Sequence, residues 1–364
     1  MPIAPGDDAP LFLARRVTGE TFQFERAAGS YLVLAFPSAS SAAGRAAVME
    51  AVGAHAALFD GVRCTFFGVL RHPAAIAKAV DAPPGVCWLA DEDGALSRLY
   101  GMIDDTGAEG AGWVVLDPTL RVLFQAPIAA TAAVMRELAA LPPVDDHAGT
   151  LLTAPVLIVP RVFEADFCQR LIGLYVVDGG RPSGFMRDVD GLTVEVQDPT
   201  RKRRKDFNIQ DVAEQNRISS RLVRRLTPSI ARAFQFQVTR IERYLVACYD
   251  AADRGGFMPH RDNTTRATLH RRFAVTINLN DDFDGGDLRF PEFGSRTYRA
   301  PVGGAVVFSC SLLHEAGPVT RGRRFAFLPF LYDEAAARVR EENSGYLASN
   351  PGGYRADGGK PPSP

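Results

Sequence analysis

The chain has 364 residues, a formal net charge of −1 and 46% apolar residues. This exceeds a single domain of roughly 100–200 residues, so two domains are expected, and no stretch reaches the ~18 consecutive apolar residues of a membrane span. Lys+Arg against Asp+Glu is 10 to 17 over residues 1–150 and 29 to 24 over residues 151–342, a difference of +5 for the second stretch, too small to call for nucleic acid without a matching motif.

The first elements alternate. Short apolar runs at 31–36, 63–70, 86–89 and 113–116 are separated by helical stretches such as 42–59 and 94–100, a pattern that predicts an α/β layer with a mainly parallel sheet. Residues 141–146 (LPPVDD) read as a linker. Beyond it, 163–176 and 211–234 have helical periodicity, the second bent at Pro228. From 240 onward, runs at 241–249, 257–261, 273–280, 287–290, 304–309 and 324–331 are cut by Gly, Pro and Asp turns, which predicts an antiparallel sandwich or barrel. The tail 343–364, rich in Gly and Pro, is expected to be disordered. The five cysteines (Cys64, Cys87, Cys168, Cys248, Cys310) are odd in number and lack C-x-x-C spacing, so reduced core thiols are expected. The N-terminus has no basic-then-apolar leader pattern, and a soluble cytoplasmic protein with no membrane partner is the expectation.

Over residues 5–140 the chain resembles the thioredoxin-fold peroxiredoxins. The likeness rests on the Pro5-Gly6-Asp7-Asp8-Ala9-Pro10 opening, Ala35-Phe36-Pro37, Leu89-Ala90-Asp91, Tyr100-Gly101 and Leu116-Asp117-Pro118. The resemblance implies a peroxidatic cysteine about two helical turns after Phe36-Pro37, yet residues 38–47 read SASSAAGRAA. Peroxidase chemistry requires a thiolate nucleophile, and neither serine nor alanine replaces it. Cys64 and Cys87 lie inside apolar runs, where a thiol is inert. The domain, assigned to 1–143, is read as a non-catalytic scaffold, a homodimerisation surface or a partner-binding module.

The chemistry concentrates in the last third, where His260 and Asp262 stand at i and i+2, His314 follows 52 residues after the aspartate, and Arg324 ten residues later. Residues two apart on a strand share a face, so His260 and Asp262 can grip one ion and His314 can complete a two-histidine, one-carboxylate facial set. That set leaves positions open for an oxidant and a co-substrate, as in non-heme Fe(II) oxygenases. An arginine offers a bidentate grip on a carboxylate, with Arg321, Arg323 and Arg324 as candidates. His270 lies in a polar stretch and is read as a surface residue, and His55, His72 and His147 fall outside the barrel.

Residues 155–332 resemble the 2-oxoglutarate/Fe(II) dioxygenases, especially the prolyl-hydroxylase branch. The residues carrying the likeness are Val246-Ala247-Cys248-Tyr249, Gly256 to Asn263, Thr276 to Asn280, Phe283 to Phe290, Pro301 to Phe308, and Leu313 to Phe325. The resemblance implies a C-terminal α+β double-stranded β-helix (jelly-roll or cupin-like) barrel with flanking helices over 150–335. It implies His260, Asp262 and His314 as Fe(2+) ligands and selects Arg324, the basic residue before the aromatic Phe325, to hold 2-oxoglutarate. Tyr249 and Asn278 match positions lining the 2-oxoglutarate cavity, although relatives often carry tyrosine where Asn278 stands. O2 and ascorbate complete the implied cofactors.

The polar stretch 181–211 precedes the barrel strands, and its Arg201-Lys202-Arg203-Arg204-Lys205 run is read first as a solvated charged loop, second as a grip on an acidic protein or anionic metabolite. The expected activity is hydroxylation of a peptidyl residue such as proline. Hydroxylation of a small molecule and a non-catalytic interaction role are the alternatives.

Overall fold

A computed structural model describes residues 3–349 and 353–356. Contacts divide the chain into two units: one runs to Ala154 and includes Phe290–Arg296, and the other starts at Pro155.

The first unit is a seven-stranded sheet in the order Thr21–Gln23, Leu13–Arg16, Val86–Ala90, Cys64–Leu70, Tyr31–Phe36, Gly112–Leu116, Val122–Pro127. The three strands from Val86–Ala90 to Tyr31–Phe36 are parallel, and the flanking ones are antiparallel. Parallel neighbours need a crossover, and the helix Ala42–Ala54 supplies the one between Tyr31–Phe36 and Cys64–Leu70. Ser41 caps that helix by accepting from the Gly44 N–H at 3.0 Å. The central strand Tyr31–Phe36 is buried along its whole length, which is why it reads as a continuous apolar run rather than an alternating one. Val33, Phe66, Trp113 and Val115 join Val48, Val52 and Val134 in its core, each large side chain contributing about 1.5–3 kcal/mol by leaving water. All five cysteines of the chain are free and buried. Burial pushes the Cys64 thiol up to about 12 and that of Cys87 up to about 11, so neither is a thiolate near neutrality.

The second unit has two main antiparallel sheets. The larger runs Arg240–Glu242, Phe330–Tyr332, Phe273–Asn278, Arg323–Phe327, Leu245–Asp250, Lys205–Asn208, Arg181–Pro182, with Ala305–Ser309 pairing to Phe273–Asn278. The smaller runs Lys202–Arg203, Gly256–His260, His314–Ala316, Leu288–Arg289, Thr297–Tyr298. Alternation along Leu245–Asp250 ties the layers together. Val246 and Cys248 pack with Phe167, Leu171, Ile218 and Leu222 of the helices Ala165–Asp178 and Val212–Arg225, while Ala247 and Tyr249 pack with Ala316 of the smaller sheet. Helices therefore cover one face of the larger sheet and the smaller sheet covers the other. The expected 211–234 helix is two, Val212–Arg225 and Thr227–Phe234, with Pro228 in the first turn of the second, where its missing N–H costs nothing. The expected strand 241–249 is also two, because Arg243 adopts φ 57° between Arg240–Glu242 and Leu245–Asp250.

Two expectations are corrected here. Over its described residues the tail is ordered: Ser344–Tyr346 form a 3-10 turn, Leu347 bridges Thr193, and Arg240 donates from Nη2 to the Ala356 carbonyl at 2.8 Å. Residues 350–352 and 357–364 lie outside the described residues. The stretch 181–211, expected as a polar segment, contains the hairpin Phe185–Val189 with Leu192–Val196 and three further short strands. No helix among the described residues is long and apolar enough to cross a membrane.

Candidate metal centre

His260 closes the strand Gly256–His260 and His314 opens His314–Ala316, and the two are direct cross-strand partners. Their rings stand 4.3 Å apart. Asp262 lies just beyond its strand rather than on it, and its backbone N–H donates to the Cys310 carbonyl at 3.0 Å, which turns the carboxylate back toward both rings. His260 Nε2 is 3.6 Å from Asp262 Oδ1 and His314 Nε2 is 3.4 Å from Asp262 Oδ2. The three ligand atoms lie within 4.8 Å of one another, an opening matched to one small ion.

The imidazole tautomers are set by their second nitrogens. His260 Nδ1 meets the Met258 carbonyl at 2.8 Å and His314 Nδ1 the Leu312 carbonyl at 3.0 Å. A carbonyl only accepts, so each Nδ1 carries the proton and each Nε2 presents its lone pair to the opening. Burial pushes the His260 imidazole well below its ordinary range, and the neighbouring His314 adds to this. Burial alone raises the Asp262 carboxyl, but His314, His260 and Arg271 outweigh it and hold the group below the usual carboxylate range. Two Nε2 atoms and one carboxylate thus converge on an opening suited to a divalent cation. Phe257 stacks on His260 at 3.5 Å and the Phe308 ring meets His314 edge-on at 4.5 Å, wedging both imidazoles in place.

Of the three candidate arginines, only Arg324 points inward. It is 3% exposed, whereas Arg323 is exposed and Arg321 pairs with Asp284 on the surface. Arg324 is the cross-strand partner of Tyr249, and its guanidinium lies 5.2 Å from that ring. Its Nε and Nη2 donate to Asn278 Oδ1 at 3.2 and 3.1 Å, and Asn278 in turn donates to the Ala300 carbonyl at 2.8 Å. Arg324 forms no ion pair among the described residues, and burial lowers its affinity for its proton. A buried cation without an anion costs several kcal/mol, on the order of 3–5 when a partner is removed, so this guanidinium is suited to a ligand that brings the charge.

Two sequence-based readings fail at this site. His270 is 2% exposed, with Nε2 2.7 Å from Glu242, which also takes a bidentate grip from Arg271. Arg271 further donates to the Asp262 carbonyl at 3.2 Å, so this buried trio braces a metal-facing residue. The basic run 201–205 is also not a solvated loop. Lys202 and Arg204 are buried, Arg204 holding Asp206 at 2.6 and 2.7 Å and donating to the Tyr249 hydroxyl at 3.3 Å. The signal present in the sequence was the two-residue period placing 202, 204 and 206 on one face.

Residues 244–332 match the model of the 2OG-Fe(II) oxygenase superfamily, so the likeness to that superfamily falls mainly within the second unit. A PKHD-type hydroxylase of Synechococcus sp. (strain JA-2-3B'a(2-13)) is 31% identical over 93 residues, 24% of this chain and 41% of that protein. Another, from Caulobacter sp. (strain K31), is 36% identical over 80 residues, 20% of this chain and 35% of that one. The match thus spans less than half the length of these relatives. A solved prolyl hydroxylase in complex with a hypoxia inducible factor oxygen degradation domain peptide fragment, from Trichoplax adhaerens, is 19% identical at a TM-score of 0.40, covering 57% of this chain and 94% of that one.

Proposed function

We propose that the chain is a 2-oxoglutarate- and Fe(II)-dependent dioxygenase that hydroxylates a peptidyl residue, with proline the first candidate, and converts 2-oxoglutarate to succinate. The observation that carries the reading is the pairing of a prepared two-histidine, one-carboxylate opening with a buried, anion-free arginine in the same unit. His260 Nε2, His314 Nε2 and one Asp262 oxygen would hold the ion. When bound, Fe(II) supplies the redox chemistry that couples O2 and the decarboxylation of 2-oxoglutarate to substrate hydroxylation. Arg324 receives the distal carboxylate of 2-oxoglutarate. Asn278 acts through its Oδ1 by orienting that guanidinium, and Tyr249 lies against it as one wall. The buried apolar side chains Phe283, Ala316 and Val319 pack with Tyr249 and keep its surroundings dry. Ascorbate is the reductant that the resemblance implies.

The first unit is read as a thioredoxin-like, non-catalytic domain. Its support is the three-stranded parallel centre flanked by antiparallel strands and the absence of a cysteine from residues 38–47. Homodimerisation or partner binding is its proposed role, and five free buried cysteines accord with a reducing cytoplasm.

The test is succinate formation from 2-oxoglutarate by the full chain with Fe(II) and ascorbate, abolished in His260→Ala. Proteolysed host extract and the metabolite fraction, each incubated with enzyme, are then searched for a single added oxygen. Oxygen appearing only in the metabolite fraction would move the substrate from peptide to small molecule.

A further inference from the structure

The hairpin and the basic strand leave one group of residues that the reaction above does not use. Phe257, whose ring stacks on His260 at 3.5 Å, also has the Phe185 ring 6.3 Å away and Lys202 Nζ 5.1 Å from its centre. Beyond Phe185 comes the Arg201 guanidinium, 4.8 Å from that ring's centre. Two aromatic rings thus connect a metal-facing imidazole to a cation. The Arg201 carbonyl accepts from the Met258 N–H at 2.9 Å, which fixes this residue to the strand that carries His260.

The neighbouring charges are committed elsewhere. Lys202 Nζ is held by Ser183 Oγ at 2.8 Å and by the Gly184 carbonyl. Arg203 is tied to the Pro199 and Asp253 carbonyls, and Arg204 is paired with Asp206. Of the nearby acids, Asp198 accepts from the Thr200 N–H and hydroxyl at 2.9 and 2.6 Å while its charge also acts on Arg201 without a direct contact, and Glu195 accepts from the Gly184 N–H at 2.6 Å. The side chain of Arg201 makes no hydrogen bond or ion pair among the described residues, and neither does that of Arg187, which shares a strand face with Phe185 and lies near enough to oppose the charge of Arg201. Phe185, Phe257 and Arg201 are half-buried and Arg187 is exposed, so the surface is open to a ligand.

The hairpin is also held in place. Thr193, fully buried, donates to Asp188 at 2.5 Å, accepts from the Ala267 N–H at 3.2 Å, and bridges Leu347 of the C-terminal segment. A recognition surface braced this way loses little freedom on binding.

We propose that Phe185, Phe257 and Arg201 form a specificity subsite for an acidic group of the primary substrate, the rings covering the substrate next to the oxidised position and Arg201, with Arg187 beside it, gripping a carboxylate. The inference rests on the hydroxylase reading for what lies at His260 and adds the substrate's chemical class. An acidic peptide is the source that the extended strand surface favours, and a free small acid offers the same chemistry.

The experiment uses the full chain with Fe(II) and saturating 2-oxoglutarate under anaerobic conditions, so that Arg324 is occupied. Two fluorescent nonapeptides are compared by anisotropy, each with a central proline, one flanked by four glutamates on either side and the other by four glutamines. The glutamyl peptide is expected to bind at least tenfold more tightly. Arg201→Gln should erase that preference, Arg201→Lys should retain part of it, and 2-oxoglutarate binding should stay unchanged in both. Displacement by N-acetylglutamate at equal concentration would assign the site to a small acid. Equal affinity for both peptides, binding of neither, or a preference that survives Arg201→Gln overturns the proposal. Succinate release is measured separately: its absence with the glutamyl preference intact removes the hydroxylase reading and leaves the anionic subsite standing.

Discussion

The two units bury polar groups for different ends. In the first, the buried polar side chains are Glu25, Ser30, Asp91, Ser97 and Asp117, with no Lys or Arg among them. Asp91 illustrates their use: it accepts from the Leu96 and Ser97 N–H groups at 2.8 and 2.9 Å, closing the first turn of a short helix. In the second, Lys202, Arg204, Arg240, Arg271 and Arg324 are all buried. Desolvating a cation costs several kcal/mol, so packing alone does not explain five of them. Arg204, Arg240 and Arg271 are paired with the carboxylates of Asp206, Glu334 and Glu242, whereas Lys202 has a hydroxyl and a carbonyl and Arg324 a neutral amide. The first unit thus buries no cation among its described residues, whereas the second buries five and leaves two of them without a carboxylate.

The largest expected effect that would break this contrast is at the metal opening. His260→Ala, Asp262→Ala or His314→Ala should each reduce succinate formation to background and abolish Fe(II) retention in equilibrium dialysis, with far-UV circular dichroism unchanged. Next, Arg324→Gln should raise KM for 2-oxoglutarate roughly 100-fold, the order expected for losing a buried charge-assisted contact of about 3 kcal/mol. Arg323→Gln, on the exposed side of the same strand, should move KM less than about twofold. Retention of normal KM by Arg324→Gln would undo the assignment.

A third expectation concerns stability. Glu242→Gln should destabilise the second unit by about 3 kcal/mol, because Arg271 and His270 lose a buried anion. Burial raises the Glu242 carboxyl, but Arg271 and His270 outweigh it and hold the group well below its ordinary 4.5. A carboxyl depressed in the folded state contributes stability that is complete above its unfolded value and is lost as pH falls from there through the folded value. Thermal stability should therefore fall as pH drops below about 4.5, and less steeply in Glu242→Gln, measured by calorimetry across that range. The smallest effect belongs to the first unit: Cys64→Ser and Cys87→Ser should leave succinate formation unchanged, and peroxide consumption should be absent from wild type and variants alike.

How legible each part was follows from the range of the interaction that defines it. His260 and Asp262 declare themselves because two ligands at i and i+2 are a local pattern, whereas alternation says only that one of Arg323 and Arg324 points inward, and the resemblance selects Arg324. The parallel centre of the first unit is equally legible, since Tyr31–Phe36 is buried on both faces and reads as one apolar run. By contrast, the fates of Lys202 and Arg204 depend on pairing with Gly256–His260 and Leu245–Asp250, strands about 50 residues away, so the charge run reads as solvated. His270 is hidden for the same reason, since Glu242 lies 28 residues upstream. The tail looked unfoldable by composition, yet the bridge to Thr193, the bond from Arg240 and the contacts of Arg355 and Ala356 with Glu341 hold its described residues.

The central claim is that the His260, Asp262 and His314 opening and Arg324 form one site for a metal-chelating dicarboxylate. Its most direct test is anaerobic equilibrium dialysis of radiolabelled 2-oxoglutarate against the full chain, with and without Fe(II). The account predicts one equivalent bound only when Fe(II) is present, lost in His260→Ala and sharply weakened in Arg324→Gln. Retention that ignores the metal, or that survives both substitutions, would contradict it.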